Sequence, residues 1–261
     1  MKKGICYGSL PQDWSDRDKL LLAKSAGFHG VEVTTLPDAK RCEEMADLAR
    51  EIGIEIPSVM PSGAWEYPLS SPDESTRSKG KECLKEAIRT AAALKAATVL
   101  LVPGSLSSSQ SYAQAYRSAL EGVTEIARFA QEMDIQLAIE NVWNRMLLSP
   151  KEMAEFVTAT GCPNVGVYFD CGNIVAYGHP QSWIRELGPL IRKVHVKDFD
   201  SGSRQFRHLL QGSVPWTEIR TALLEIGYDD YLTAELPLYS SYPDQMVFDT
   251  SNQMDRIIAG H

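Results

Sequence analysis

The chain has 261 residues, of which 23% are charged and 44% apolar, a balance too hydrophobic for general disorder and ordinary for a soluble enzyme. Its 34 acidic and 26 basic residues leave a net charge of -8, which opposes nucleic-acid and anionic-membrane partners in the absence of a Lys/Arg run. Five cysteines (Cys6, Cys42, Cys83, Cys162 and Cys171), odd in number and without a C-x-x-C pair, argue against a disulfide framework and a structural zinc site. MKKGICYGSLPQDW lacks a signal-like apolar region and no stretch approaches 18 uninterrupted apolar residues, so the expected localisation is cytoplasmic.

Taken in chain order, short apolar runs alternate with helical patterns. KGICYGS reads as a first strand and DRDKLLLAKSAG as a helix ended near Gly27. GVEVT, the helix DAKRCEEMADLAREIG and the strand IEIPSVM follow. Residues 72–95 open with Pro, Asp and Glu and continue with helical spacing, and ATVLLVPG is a β-rich run. Gln110 to Met133 is a long helix before IQLAIEN. SPKEMAEFVTATG is a helix with Ser149 as N-cap and Pro150 at N1, leading to the strand VGVYFD. A short helix over Pro180 to Leu187 precedes IRKVHVKDFD, read as one strand. PWTEIRTALLEIG, the strand YLTAELP and a last helix over Asp244 to Ala259 complete the chain.

Eight strands alternating with helices imply parallel pairing through right-handed crossovers. About 250 residues is the size at which a (β/α)8 TIM barrel closes, and nothing marks a second domain, so residues 1–261 read as one α/β barrel. The competing doubly wound sheet lacks G-x-G-x-x-G after its first strand, and there is no P-loop lysine motif.

In a barrel, polar residues that close apolar strands point into one shared pocket. Glu140 closes LAIE, Asp170 closes VGVYFD, His195 sits in KVHVKD and Glu235 closes LTAE, spaced 30, 25 and 40 residues apart. Glu32 in GVEV lines the opposite side of the mouth. Alone, a strand-end acid reads as a helix cap or a solvated carboxylate, and a lone histidine as a hydrogen-bonded core residue. Together, three uncompensated carboxylates at one mouth would repel each other unless a cation or protons intervened. Oxygen donors with one imidazole suit Mn²⁺, Mg²⁺ or Co²⁺, whereas Zn²⁺ favours more nitrogen or sulfur.

The strings AIENVW, VYFDCGN, KVHVKDF and LTAELP, in this order and spacing, resemble the sugar phosphate isomerase/epimerase superfamily of xylose-isomerase-like barrels over essentially the whole chain. The resemblance implies that Glu140, Asp170, His195 and Glu235 hold one divalent ion, Mn²⁺ first and Mg²⁺, Co²⁺ or Zn²⁺ as alternatives, and that Glu140 and Glu235 form an acid/base pair. The implied reaction is sugar or sugar-phosphate isomerisation or epimerisation. A proton leaves carbon beside a carbonyl and the resulting enediolate is stabilised by the metal. A small carbohydrate is the implied partner, with a homodimer or homotetramer as the implied assembly.

This sequence departs from the pattern in places. Asn173 stands where many relatives have histidine, as in the sugar-phosphate epimerase branch, and NVWNRM offers Asn144 and Arg145 where free-ketose epimerases carry a second acid. Arg204, Arg207 and His208 read either as a solvated basic loop or as contacts to a phosphate or sugar hydroxyl. Lys197 either approaches the site or pairs with Asp198. Trp65 and Trp143 suit the apolar walls of a sugar site, and Cys171 reads as packing. Candidate substrate contacts are therefore Glu32, Trp143, Asn173, Lys197 and Arg207. A lyase on inososes or 3-keto-glycosides could use the same metal site. A DNA-repair endonuclease of the same barrel lineage would need a multi-zinc cluster and a basic groove, which five histidines and a charge of -8 disfavour. A non-catalytic sugar-binding barrel is the remaining reading.

Overall fold

A computed structural model describes residues 1–63 and 65–260. Eight parallel strands close into a barrel: β1 (Lys2–Cys6), β2 (Gly30–Thr34), β3 (Ser58–Met60), β4 (Thr98–Leu101), β5 (Gln136–Glu140), β6 (Val165–Asp170), β7 (Ile191–Val196) and β10 (Tyr231–Ala234). Around the barrel the order is β1-β10-β7-β6-β5-β4-β3-β2. The expected TIM barrel is thus observed, with a barrel strand in each of the eight expected segments.

Helices α1 (Asp16–Ser25), α2 (Ala39–Ile52), α3 (Glu74–Leu94), α4 (Tyr112–Glu132), α5 (Pro150–Ala159), α7 (Pro180–Leu187), α8 (Trp216–Glu225) and α9 (Pro243–Ala259) follow the eight barrel strands in turn. Their starts follow from local chemistry, because a side-chain oxygen at the N-cap satisfies a backbone N–H that the helix leaves unpaired. Ser15, Asp38 and Asp73 accept from the N–H of Asp18, Arg41 and Thr76, and Ser111 forms a reciprocal capping box with Gln114. Ser149 caps α5 with Pro150 at the first position, as its sequence implies.

The strands are buried on both faces, as a parallel sheet covered by helices requires. The main core lies between barrel and helices and includes Ile5, Val99, Ile126, Phe156 and Ile219. A smaller cluster of Leu100, Val102, Ala138, Val142 and Tyr168 lies at the mouth, where Leu100, Val102 and Val142 line the cleft.

One expected element divides. IRKVHVKDFD is not a single strand: β7 ends at Val196, and Asp198–Asp200 forms β8, which pairs antiparallel with β9 (Gln205–Arg207). The apolar pattern runs on through Phe199, but this residue belongs to a hairpin beside the mouth, so periodicity alone could not place the break. Asp198 organises the loop that follows by accepting from the N–H of Phe199 and Val214 and from Trp216 Nε1.

Candidate active site

Four polar side chains converge where neighbouring strands end. Glu140 ends β5, Asp170 ends β6, His195 is next to last in β7 and Glu235 directly follows β10. Register brings them together. Glu140 pairs with Tyr168, a register shift after Val167 sets Asp170 beside His195, and His195 lies beside Thr233. One ligand atom from each of the four lies within 4.8 Å of the others. Glu140, Asp170 and His195 are buried and Glu235 is half-buried.

Helix α6 (Cys171–Val175) starts at the site and is capped by Asp170, whose Oδ1 accepts from Asn173 N–H at 2.8 Å. Gly172 lets α6 lie against the segment after β7, because a Cβ there would lie 2.6 Å from the Lys197 carbonyl oxygen. Asn141 clamps Asp170 from β5: its Nδ2 donates to the Asp170 carbonyl and its Oδ1 accepts from the Asp170 N–H, both at 2.8 Å. Asn173 Nδ2 donates back to the Asn141 carbonyl.

Burial disfavours charge, and the neighbours of each group decide the outcome. Burial pushes the Glu140 carboxyl up to about 7 and also raises Asp170. Glu235 is pulled the other way: burial works against its charge, but His195 and Lys197 outweigh it and hold it below the ordinary carboxylate value. Lys197 sits among these acids, with Nζ 2.5 Å from Glu235 Oε2 and 3.0 Å from Asp170 Oδ2. Burial acts to lower Lys197, but the charges of Asp170, Glu235 and Glu140 raise it. The alternative pairing with Asp198 is not formed.

His195 is gripped at both nitrogens. Nε2 lies 2.8 Å from Glu32 Oε1 and Nδ1 lies 3.0 Å from Glu140 Oε1. Burial acts to raise Glu32, yet the nearby His195 charge and hydrogen bonds from His195, Ser58 and Tyr168 bring it down to about 2. With Glu32 holding the hydrogen on Nε2, a neutral His195 would present Nδ1 toward the three acids as a donor to a metal. Cys6 Sγ is 3.4 Å from Glu32 Oε1 and 3.7 Å from His195 Nε2, on the supported side of the ring.

Three carboxylates and one imidazole nitrogen, drawn from four strands around one centre, fit a single divalent ion. Asp170 Oδ2 supports the fit, since it is buried and accepts no hydrogen bond, having only the Lys197 ammonium nearby. A hollow of about 580 Å³ at the opposite barrel end, beside Lys2, Glu55, Lys193 and Asp230, lies apart from these donors. Its Lys2 and Lys193 are paired with Glu55 and Asp230.

Residues 20–255 match the family model described as a xylose isomerase-like TIM barrel. The chain belongs to this family. Among its members with curated descriptions, the chain is 27% identical over 242 residues to the putative L-ribulose-5-phosphate 3-epimerase SgbU of Escherichia coli, covering 86% of this chain and 85% of that one. It is also 26% identical over 174 residues to an uncharacterized protein of Methanocaldococcus jannaschii, covering 64% of this chain and 59% of that one. A solved D-psicose 3-epimerase, crystallised in the presence of D-fructose, shares the fold with a TM-score of 0.83 at 24% identity over 100% of both chains. The expected isomerase or epimerase agrees with the name of the SgbU relative.

Within the xylose isomerase-like barrel, the candidate substrate contacts divide. Trp143, Asn173 and Lys197 line the cleft above the four donors. Trp143 Nε1 donates to the Asn173 carbonyl, and its ring stacks on Phe206 at 4.9 Å. Glu32 is 1% exposed and both its oxygens are engaged, one by His195 and the other by Tyr168 and Ser58. Arg207 donates to Gln205 and Ser203 and stands 3.9 Å from Asp200, with its guanidinium turned along the hairpin and outside the cleft lining. Tyr168 and Ser58, which hold Glu32, and Asn141, which clamps Asp170 from the neighbouring strand, act through contacts distant in sequence that no local pattern carries.

Glu32→Gln removes the charge that fixes the His195 tautomer. The expected outcome is a 10- to 100-fold loss of Mn²⁺ affinity, roughly what second-layer partners of metal ligands contribute, measured by calorimetry on the metal-stripped protein. A change of under twofold would show that Glu32 does not orient the imidazole.

Proposed function

We propose that this chain is a divalent-metal-dependent epimerase or isomerase of small keto-sugars that works by proton transfer at carbon beside a carbonyl. The observation that carries the reading is the convergence of Glu140, Asp170, His195 and Glu235 around one centre, with Glu140 and Glu235 also lining the cleft above it. Glu140, Asp170, His195 and Glu235 would hold the ion, for which Mn²⁺ is the first choice. When bound, the ion supplies Lewis acidity to a carbonyl and an adjacent hydroxyl.

The remaining chemistry belongs to the side chains. An ionised Glu140 or Glu235 takes the proton from the carbon beside the carbonyl, and the other carboxyl returns one from the opposite face, which inverts the centre. Epimerisation runs in both directions, so the two exchange roles with the epimer bound. Lys197 holds Glu235 in its charged form and offers ammonium hydrogens to a substrate oxygen. Asn141 and Asn173 fix Asp170, while Trp143 and Phe206 exclude water from one side of the reacting sugar.

The test is NMR of Mn²⁺-loaded protein incubated in D₂O with ketoses, ketose phosphates, inososes and 3-keto-glycosides. The expected product carries deuterium at the carbon beside the carbonyl, with an unchanged carbon skeleton and no new double bond. An unsaturated product or a released aglycone would assign elimination, and no exchange with any of the sugars would overturn the reading.

A further inference from the structure

A second set of donors meets on the Nε2 side of the His195 ring, while Glu140 meets Nδ1. It consists of Cys6, which ends β1, together with Glu32 and His195 itself. Cys6 Sγ lies 3.4 Å from Glu32 Oε1 and 3.7 Å from His195 Nε2, and those two atoms are 2.8 Å apart. A tetrahedral ion with bonds of roughly 2.3 Å to sulfur and 2.0 Å to nitrogen and oxygen holds the sulfur about 3.5 Å from its neighbours, and nitrogen about 3.3 Å from oxygen. Both sulfur distances already agree with this, and the nitrogen and oxygen need to part by only about 0.5 Å.

The surroundings suit an ion as well. Glu32 Oε2 accepts from the Ser58 and Tyr168 hydroxyls, which fixes the carboxylate with Oε1 toward Cys6 and His195. All three donors are buried, and a thiolate plus a carboxylate balance one divalent ion, so the filled site is neutral. Cys6 and Glu32 both line a lobe of the cleft of about 490 Å³, bounded also by Tyr7, Thr34 and Glu235. The lobe gives an ion its way in and a water the fourth position. Sulfur with imidazole selects Zn²⁺-like ions, whereas the carboxylate-rich centre beside it suits Mn²⁺.

We propose that Cys6 Sγ, Glu32 Oε1 and His195 Nε2 bind a thiophilic divalent ion of the Zn²⁺ class, and that this ion inhibits by taking the imidazole from the catalytic centre. One proton leaves Sγ and one leaves Nε2, and His195 keeps the hydrogen on Nδ1, facing Glu140 Oε1. Nδ1 then has no lone pair for Mn²⁺. Conversely, Mn²⁺ on Nδ1 keeps the hydrogen on Nε2, facing Glu32. The two tautomers of one ring therefore serve two ions that exclude each other. The exclusion rests on the metal reading above, and the thiolate site stands without it.

Titration of the metal-stripped full chain with Cd²⁺, followed by thiolate-to-Cd²⁺ charge-transfer absorption in the ultraviolet, tests the site. The band is expected to saturate at one equivalent, to vanish in Cys6→Ser and to persist in Cys171→Ser, which removes the thiol next to Asp170 in sequence. Cd²⁺ uptake without a band, or a band that survives Cys6→Ser, would overturn the proposal. X-ray absorption of wild type loaded with one equivalent of Zn²⁺ needs no variant: one sulfur at about 2.3 Å is expected, and a shell of nitrogen and oxygen alone would overturn the site. Saturating Mn²⁺ should weaken Cd²⁺ uptake at the band by tenfold or more. Unchanged uptake by a chain that calorimetry shows to hold Mn²⁺ would overturn the inhibition, whereas failure to hold Mn²⁺ removes only the metal reading above.

Discussion

Glu140→Gln and Glu235→Gln are each expected to lower epimerisation by roughly 10²- to 10⁴-fold, the range of a positioned acid or base. The amide preserves shape and a neutral oxygen donor but cannot carry the proton. The two variants should fail differently. With one carboxyl of the pair disabled, the other still deprotonates the epimer whose hydrogen faces it and returns the proton to the same face. Each variant should therefore wash deuterium into one epimer without inverting it, and the two variants should label opposite epimers. Proton NMR of both epimers in D₂O, with the Mn²⁺ content of each preparation measured alongside, checks this. Wild-type turnover in either variant, or labelling of the same epimer by both, would exclude the paired mechanism.

Stripping the metal is expected to abolish turnover, with Mn²⁺ restoring it, and to make stability fall as pH rises. The sign follows from the folded-state shifts. Glu140 moves from the ordinary 4.5 to about 7, so between those values the folded chain holds a proton that the unfolded chain releases. Stability is then lost with rising pH across that window. Asp170 is also raised by burial and acts in the same direction. For His195, burial acts to lower the value, but Tyr168, Glu32 and Cys6 raise it well above 6.5, so its contribution is present in acid and is lost above neutrality. At about 1.4 kcal/mol per unit, Glu140 alone accounts for a loss of about 3 kcal/mol between pH 4.5 and 8. Thermal melts of chelated wild type and Glu140→Gln over this range should converge at the acid end and separate at the alkaline end in favour of the variant. Parallel melting curves at all pH values would exclude a buried, protonated Glu140 in the metal-free protein.

Much of the site can be read from the linear chain. A strand that passes through a barrel core must stay apolar until it reaches the mouth, so the change from Ile139 to Glu140, from Phe169 to Asp170 and from Ala234 to Glu235 marks the level of the pocket. His195 is harder to recognise, because it is flanked by Val194 and Val196 and is itself wholly buried. Its meaning comes from the company it keeps. Glu32 stands out as a polar residue in β2, but its contact with His195, 163 positions away across the barrel, carries no local signature.

By itself, the sequence determined the alternation of strands and helices, the closed parallel architecture and four polar strand ends, since period, capping chemistry and strand length are local properties. Only the tertiary structure decided which nitrogen of His195 meets Glu32 and which meets Glu140. It also decided that Lys197 pairs with Glu235 and Asp170 and not Asp198, and that the residues after Lys197 form a hairpin that carries Arg207 away from the cleft. These are distances across a closed barrel, set by the stagger of all eight strands and by the register shift after Val167, and stagger is a property of the closed sheet and not of any one segment.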